Sequence, residues 1–90
     1  MRYVYPAVFH PEIEGGFSVF FPDVGHGATQ GETTDECVSV AEDFLCSALY
    51  WMEESKQQIP EPSDINSIQT DADDIVTLIS VDTEKYRDFY

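Results

Sequence analysis

The chain has 90 residues and a net charge of −14, because 18 Asp and Glu stand against only four Lys and Arg. Its length fits one domain, placed at residues 1–90, and its 42% apolar content is enough for a packed core. Binding to DNA or RNA depends on Lys and Arg that neutralise phosphates, so this chain is not expected to bind nucleic acid directly. The acidic field attracts a basic protein, although the same charge would also serve solubility alone.

The first third of the chain predicts three strands. Residues 3–10 are rich in aromatic and β-branched types, and Pro6 within them requires a bulge or a position where its missing N–H faces no neighbour. A turn containing two glycines leads to a second strand at 17–21 and then to a brief third strand at 28–30. Asp23 follows the second strand, where its carboxylate is expected to accept local backbone N–H bonds in a turn.

A long amphipathic helix is predicted at residues 34–56. Thr33 at the N-cap with Glu36 three residues later is the pattern of a capping box. One apolar stripe recurs at helical spacing, with Tyr50 and Trp51 outside it as core-edge or partner-facing residues. The stripe consists of Cys37, Val38, Ala41, Phe44, Leu45, Ala48, Leu49 and Met52.

The last third predicts a loop and a final strand. Residues 57–74 are polar and interrupted by proline, so at most a short helix is expected there. Residues 75–81 form a nearly continuous apolar run, typical of a strand buried on both faces, and 82–90 are expected to be a strand end and a frayed tail. A helix crossover would make the last strand parallel to a neighbour. The predicted fold is α+β, a small mixed sheet of three to four strands with the helix packed on one face, in the order β-β-β-α-β.

The two cysteines give no sign of chemistry. Cys37 and Cys46 are nine residues apart in the predicted helix, a rise of about 13 Å that places them on opposite sides and beyond disulfide reach. Two reduced thiols indicate a reducing compartment. The N-terminus lacks the apolar region of a signal peptide, and no run approaches the roughly 18 apolar residues of a membrane span. A cytoplasmic protein is therefore predicted.

No motif indicates catalysis, a cofactor or a metal. His10 and His26 occur without the spacing of metal ligands, so both are predicted to be surface histidines. Asp71, Asp73 and Asp74 resemble a cation-binding loop, but the glycine and glutamate positions of an EF-hand are missing. Neither a P-loop, a GxGxxG motif nor a nucleophile elbow is present.

Between residues 5 and 63 the chain resembles the HicB antitoxin family. The resemblance is carried by YPAVF, GGFSVFFPDVGHGATQGET, DECVSVAEDFLCSAL and IPEPS, in this order and at compatible spacing. It implies a partial ribonuclease-H-like fold and a protein partner, the small basic HicA toxin, which resembles double-stranded-RNA-binding domains and cuts mRNA. The implied action is to block the active surface of that toxin.

The resemblance also sets limits. Ribonuclease H chemistry needs clustered acids that hold two metal ions, and residues 3–10 carry neither Asp nor Glu, so ribonuclease activity is predicted to be absent. Family members usually continue into a DNA-binding ribbon-helix-helix or helix-turn-helix segment. The 90 residues stop before such a segment, which has either been removed or is naturally absent.

The leading hypothesis is an antitoxin domain that occludes a basic toxin, with no catalytic role of its own. A self-associating scaffold paired through an exposed sheet edge, and a metal-dependent ribonuclease, are the alternatives. Interfaces commonly combine aromatic anchors with a charged rim. On that basis the candidate partner-binding residues are Tyr50, Trp51, Glu53, Glu54, Glu32, Asp35 and Glu36, within a wider acidic set that adds Glu12, Glu14, Asp71, Asp73 and Asp74.

Overall fold

The α+β architecture is confirmed by a computed structural model, which describes residues 1–24 and 27–87, with side chains through residue 85. His26 lies outside the described residues, as do 88–90, so the predictions made for them are not addressed. One long helix packs on a four-stranded sheet. In chain order the elements are β1 (Arg2–Pro11), β2 (Phe17–Phe20), β3 (Thr29–Gly31), α1 (Thr34–Glu54), a 3-10 turn (Ile65–Ser67), β4 (Ile75–Asp82) and α2 (Thr83–Arg87).

The strands lie in the order β3-β2-β1-β4, and every neighbouring pair is antiparallel. The pairing of β1 with β4 is continuous from Arg2 opposite Asp82 to Phe9 opposite Ile75. Pro6 lies opposite Leu78 in this ladder, whereas β2 pairs with β1 only from Val8 onward. The side of β1 that faces away from β4 therefore has no partner strand at Pro6. A proline whose nitrogen points to that side removes no hydrogen bond from the sheet.

The core lies between α1 and one face of the sheet. Side chains alternate along a strand, so the odd-numbered residues of β1 face the helix. Of the predicted helical stripe, Val38 is the exception, since 39% of it is exposed at the margin of the buried face. The buried cluster consists of Tyr5, Ala7, Phe9, Val19, Phe21, Val24, Cys37, Ala41, Leu45, Leu49, Ile79 and Val81.

The predicted mixed sheet, with its last strand parallel to a neighbour, is wrong, because the chain does not pass directly from α1 into β4. The intervening residues 55–74, named here the return segment, travel back along the sheet. The segment begins beside the start of β1. It next passes Tyr5, whose hydroxyl donates a hydrogen bond to the carbonyl of Pro60. It ends beside His10, near the other end of β1. β4 therefore begins at the opposite end of the sheet from the one that the helix reaches, and it runs antiparallel to β1.

Asp23 anchors the return segment. Its two carboxylate oxygens accept hydrogen bonds from the backbone N–H of Ser63 at 2.9 Å and from the Ser63 hydroxyl at 2.5 Å. The prediction of local turn bonds for Asp23 is therefore wrong, because the partner is 40 residues away along the chain. This contact ties the end of β2 to the segment that sets the direction of β4.

Both ends of α1 have defined caps. The Thr33 hydroxyl accepts from the Glu36 N–H at 3.2 Å, as predicted for the N-cap. The C-terminal end comes two residues before the predicted one, because Lys56 adopts a left-handed φ of 58°. The Lys56 N–H donates to the Glu53 carbonyl and the Gln57 N–H to the Met52 carbonyl, the bonding pattern of a Schellman motif.

The end of the chain differs from prediction in two ways. β4 is not buried on both faces, since Leu78 is 54% exposed on the face away from α1. This follows from its place at the edge of the sheet. After β4 the chain forms α2 instead of a frayed tail over residues 83–87, and the Asp82 carboxylate accepts the Glu84 N–H at 3.0 Å in the manner of an N-cap.

Candidate partner-binding surfaces

A cleft of about 590 Å³ lies between the β1–β2 turn and the β3–α1 junction. Its walls are residues 12–18 and 30–32, among them the acidic residues Glu12, Glu14 and Glu32. We name this feature the acidic cleft. Three carboxylates around one concave surface suit a cationic side chain of a partner.

The turn at the acidic cleft is shaped by glycine. Gly15 and Gly16 have φ values of 103° and 73°, which side chains rarely adopt. The Gly15 N–H donates to the Glu12 carbonyl and the Glu12 N–H to the Gly16 carbonyl, both at 3.0 Å. The turn thereby presents Ile13 as a fully exposed apolar side chain between two acidic residues.

Three of the predicted partner-binding residues lie next to this cleft. Glu32 lines the cleft, and Asp35 and Glu36 lie in the first turn of α1. All three side chains are exposed. Negative side chains are stabilised at this end of a helix by its dipole. Asp35 and Glu36 therefore stabilise the start of α1 and remain accessible to a partner.

The other four predicted residues lie at the far end of α1. Trp51 is 56% exposed, and its ring meets that of Tyr50 edge-on with centroids 5.4 Å apart. Glu54 is exposed beside them. An exposed tryptophan next to a half-buried tyrosine provides the kind of apolar anchor that dominates protein interfaces.

Glu53 is occupied within the protein. Its Oε2 accepts a hydrogen bond from the Tyr3 hydroxyl at 2.7 Å and another from the Thr83 hydroxyl at 3.1 Å. Burial and this carboxylate together raise the pKa of Tyr3 to about 12. Glu53 thus joins α1 to β1 and to the start of α2, and its carboxylate faces inward.

The structure does not bring the seven predicted residues together in one patch. Trp51 follows Asp35 by sixteen residues of helix, a separation of about 24 Å. Between the two ends, Glu36, Asp43, Tyr50 and Glu54 recur at intervals of seven, seven and four residues, so they lie along one side of α1. This stripe, named here the α1 stripe, connects the acidic cleft with Trp51.

A His–Asp cluster was not predicted from the sequence. Nδ1 of His10 lies 2.6 Å from Oδ1 of Asp74 and 4.0 Å from Oδ2 of Asp71, and the Asp71 N–H donates to Asp74 at 3.1 Å. The hydrogen bond to Asp74 raises the pKa of His10. Within residues 1–24 and 27–87, these three side chains form the group whose ligand atoms are close enough to share a cation, within 4.8 Å of one another. The hydrogen bonds account for the cluster without an ion.

The two thiols are unsuited to nucleophilic chemistry. Cys37 is fully buried and Cys46 is half-buried, and neither forms a disulfide. Burial raises the pKa of both thiols, and Asp82 adds to the effect at Cys46. Protonated thiols are poor nucleophiles, so both residues serve packing. Among the described residues, no helix is long and apolar enough to cross a membrane.

Fold and surface together define an acidic α+β domain whose concave and helical surfaces suit recognition of a protein. The sequence profile of the HicB-like antitoxin of bacterial toxin–antitoxin systems matches residues 5–89. The chain therefore belongs to the HicB-like antitoxin family, as its motifs indicated. It is 41% identical over 63 residues to antitoxin HicB of Escherichia coli K12, a match that covers 70% of this chain and 46% of that protein.

Solved structures agree with this assignment. A chain of a toxin–antitoxin complex from Streptococcus pneumoniae is 29% identical, with a TM-score of 0.85 over 96% of this chain and 73% of that one. A chain of the HicA3 and HicB3 toxin–antitoxin complex shares the fold at 21% identity, with a TM-score of 0.69 over 89% of this chain and 99% of that one. The chain spans less than half the length of the curated relatives it matches.

Proposed function

We propose that this chain is one antitoxin domain that binds a basic HicA-like mRNA interferase directly and covers its active surface. The observation that carries the proposal is the concentration of carboxylates at the acidic cleft in a member of the HicB-like family with a net charge of −14. A toxin that acts on RNA must present cationic groups to phosphates. The same groups make it complementary to an acidic cleft.

In this proposal the toxin lies along α1, from the acidic cleft to Trp51. A standard interface covers about 800 Å² on each partner, which corresponds to a patch about 30 Å across. That width spans the α1 stripe, so Glu32, Asp35 and Glu36 at one end and Tyr50, Trp51 and Glu54 at the other can contact one toxin. Glu53 supports this surface from within by holding α1 against β1.

Occlusion, and not catalysis by this chain, is the proposed mechanism. β1 carries no Asp or Glu, whereas metal-dependent ribonucleases of this kind need carboxylates that converge on two ions. The proposed role requires no cofactor. The cytoplasm, where mRNA is cleaved, is the proposed site of action. We also infer that the chain self-associates.

The decisive experiment is co-expression with any small protein encoded next to this chain, followed by purification through a tag on this chain. Co-purification, with RNA cleavage by the partner suppressed in the complex, is the expected result. A chain that purifies alone and fails to protect cells from the neighbouring protein would contradict the antitoxin proposal.

Paired variants test the surface. Glu14→Gln with Glu32→Gln removes two charges from the acidic cleft, and Glu42→Gln with Glu61→Gln removes two exposed charges elsewhere. The cleft pair is expected to weaken toxin binding about tenfold and the control pair much less. Equal losses would mean that the overall field, and not the cleft, attracts the toxin. Trp51→Ala tests the far end, where unchanged affinity would remove Trp51 from the interface.

A further inference from the structure

β4 is an open edge of the sheet. It is the last strand in the order β3-β2-β1-β4 and has β1 on one side only. Across the described residues, no backbone hydrogen bond outside the β1 pairing reaches residues 75–82. Along the eight residues, a length of about 26 Å, the N–H and C=O groups of alternate residues point away from β1 and have no partner strand.

Four of the usual protections of an edge strand are missing from β4. Proteins block such edges with lysine, proline, a bulge or short length. β4 has neither Lys nor Pro, its register with β1 is uninterrupted, and it is eight residues long. Asp82, at its very end, is its one charged residue, in a chain of which 24% is charged.

Apolar side chains accompany the open backbone. Leu78 is 54% exposed and Ile75 is 41% exposed, and Val4 on the adjacent strand is 46% exposed. Val4 pairs with Ser80, and opposite residues of two paired strands point to the same face. Leu78, two residues from Ser80, points to that face too, so Val4 and Leu78 are neighbours on the face away from α1. This is an uncharged, partly apolar surface on a strongly acidic protein.

We propose that β4 pairs antiparallel with β4 of a second copy of this chain, around a twofold axis at Thr77. The inference rests on the self-association proposed above, and its test does not require the toxin. A basic partner would find no carboxylate along the strand until Asp82, whereas a second acidic copy meets an uncharged strand from Ile75 to Val81. Pairing doubles the sheet and gives residues 75–79 of each copy a partner strand.

Charge favours the Thr77 register over the one centred on Leu78. We assume that the two sheets join into one and that the α1 helices of both copies lie on the same face of it. Residues opposite each other across the contact must then point to the same face, and side chains alternate along a strand. The twofold axis therefore passes through one residue of β4 and not between two. An axis at Thr77 places Ile75 opposite Ile79, Val76 opposite Leu78 and Asp74 opposite Ser80. An axis at Leu78 would place Asp74 opposite Asp82 of the second copy, which is a repulsive pair.

Salt separates this contact from toxin binding. Two chains of charge −14 repel each other, and added salt screens the repulsion, with a Debye length near 10 Å at 0.1 M and near 3 Å at 1 M. Dimerisation is therefore expected to strengthen as salt rises. Attraction between acidic and basic proteins weakens under the same change.

The test is sedimentation equilibrium of the full chain at low and high NaCl. The parent is expected to approach twice its mass of 10.2 kDa, at lower protein concentration in high salt. Leu78→Glu places a carboxylate at the edge and should weaken dimerisation by at least about tenfold. Val38→Glu adds the same charge on α1, where 39% of the side chain is exposed, and should dimerise like the parent.

Each outcome has a distinct meaning. A parent that stays monomeric at every salt concentration would overturn self-association and this inference together. A dimer that persists in a folded Leu78→Glu variant would overturn the β4 contact and leave self-association standing. Toxin binding by Leu78→Glu, measured in parallel, reports on the antitoxin proposal separately.

Cross-linking tests the register. Thr77→Cys lies on the proposed axis and should give a covalent dimer on mild oxidation. Ser80→Cys is on the same strand but faces Asp74 of the second copy, so its two thiols would be about 20 Å apart. Equal cross-linking of both variants would overturn the Thr77 register. Cys37 is buried and Cys46 half-buried, and the raised pKa of each native thiol keeps the background low.

Discussion

Replacing Gly31 with alanine should destabilise the protein and deform the acidic cleft, because α1 begins directly against this glycine. A Cβ at Gly31 would lie 2.8 Å from the Cys37 sulfur, 2.9 Å from the Cys37 nitrogen and 3.0 Å from its Cα. Two of these atoms belong to the backbone of the helix, so a rotation of the Cys37 side chain cannot relieve the overlap. The first turn of α1 must move away from β3.

The expected cost is about 1–3 kcal/mol, the usual range for overpacking in a core. A domain of this size has roughly 5–15 kcal/mol of stability in total. With a urea m-value of about 1 kcal/mol/M, the unfolding midpoint should fall by about 1–3 M. Each kcal/mol should lower the melting temperature by about 4–8 °C.

Two further variants decide whether this reasoning holds. Gly27→Ala is the matched control, since a Cβ there meets nothing within 4 Å, and its midpoint should stay close to that of the parent. Cys37→Ala combined with Gly31→Ala removes the sulfur but not the backbone contacts, so only part of the loss should be recovered. A Gly31→Ala protein within about 0.5 kcal/mol of the parent would refute the packing argument.

Three other predictions concern single contacts. Lys56→Gly should stabilise the fold by about 1 kcal/mol in urea denaturation, because glycine adopts a left-handed φ without strain; a loss of stability would show that the Lys56 side chain matters more than its backbone. Glu53→Gln should lower the pKa of Tyr3 from about 12 towards 10 in a tyrosinate titration, since it removes the carboxylate but not the burial; an unchanged pKa would leave burial as the sole cause. The pKa of His10 is raised above 6.5 in the folded protein, so its contribution should be fully present below pH 6.5 and lost as the pH rises through the folded-state pKa. The difference in stability between the parent and His10→Gln, measured against pH, should shrink in that direction, and a difference that grows with pH would contradict it.

Local signals in the sequence were sufficient for most of the elements. The Thr33 cap and the helical stripe located α1, and alternating aromatic and β-branched residues located β1 and β2. The end of α1 was misplaced because a left-handed Lys56 carries no signal of its own, unlike a glycine at the same position. The start of α2 carries a local signal, Asp82 followed by Thr83 and Glu84, and this signal favours a helix over the frayed tail predicted there.

Direction and clustering depend on contacts that no local pattern records. The direction of β4 follows from the return segment, which Asp23 holds through a residue 40 positions later. His10 and Asp74 are 64 positions apart, so their hydrogen bond could not be read from spacing. The candidate surface was predicted as one set of acids and aromatics, but helix geometry divides it between two ends, and the Tyr3 and Thr83 hydroxyls turn Glu53 inward.

The two proposed contacts use opposite edges of one sheet, and this has a consequence for assembly. The acidic cleft is built partly on β3, and the self-pairing surface is β4, which lies three strand spacings away, or about 14 Å. A second copy on β4 extends the sheet away from the cleft, so each copy in a dimer would keep its cleft and α1 stripe open. Charge then favours the same arrangement, because each basic toxin that binds reduces the repulsion between the two acidic chains. The two contacts should therefore support each other and give a complex of two antitoxin chains and two toxins, in which toxin binding strengthens dimerisation at low salt.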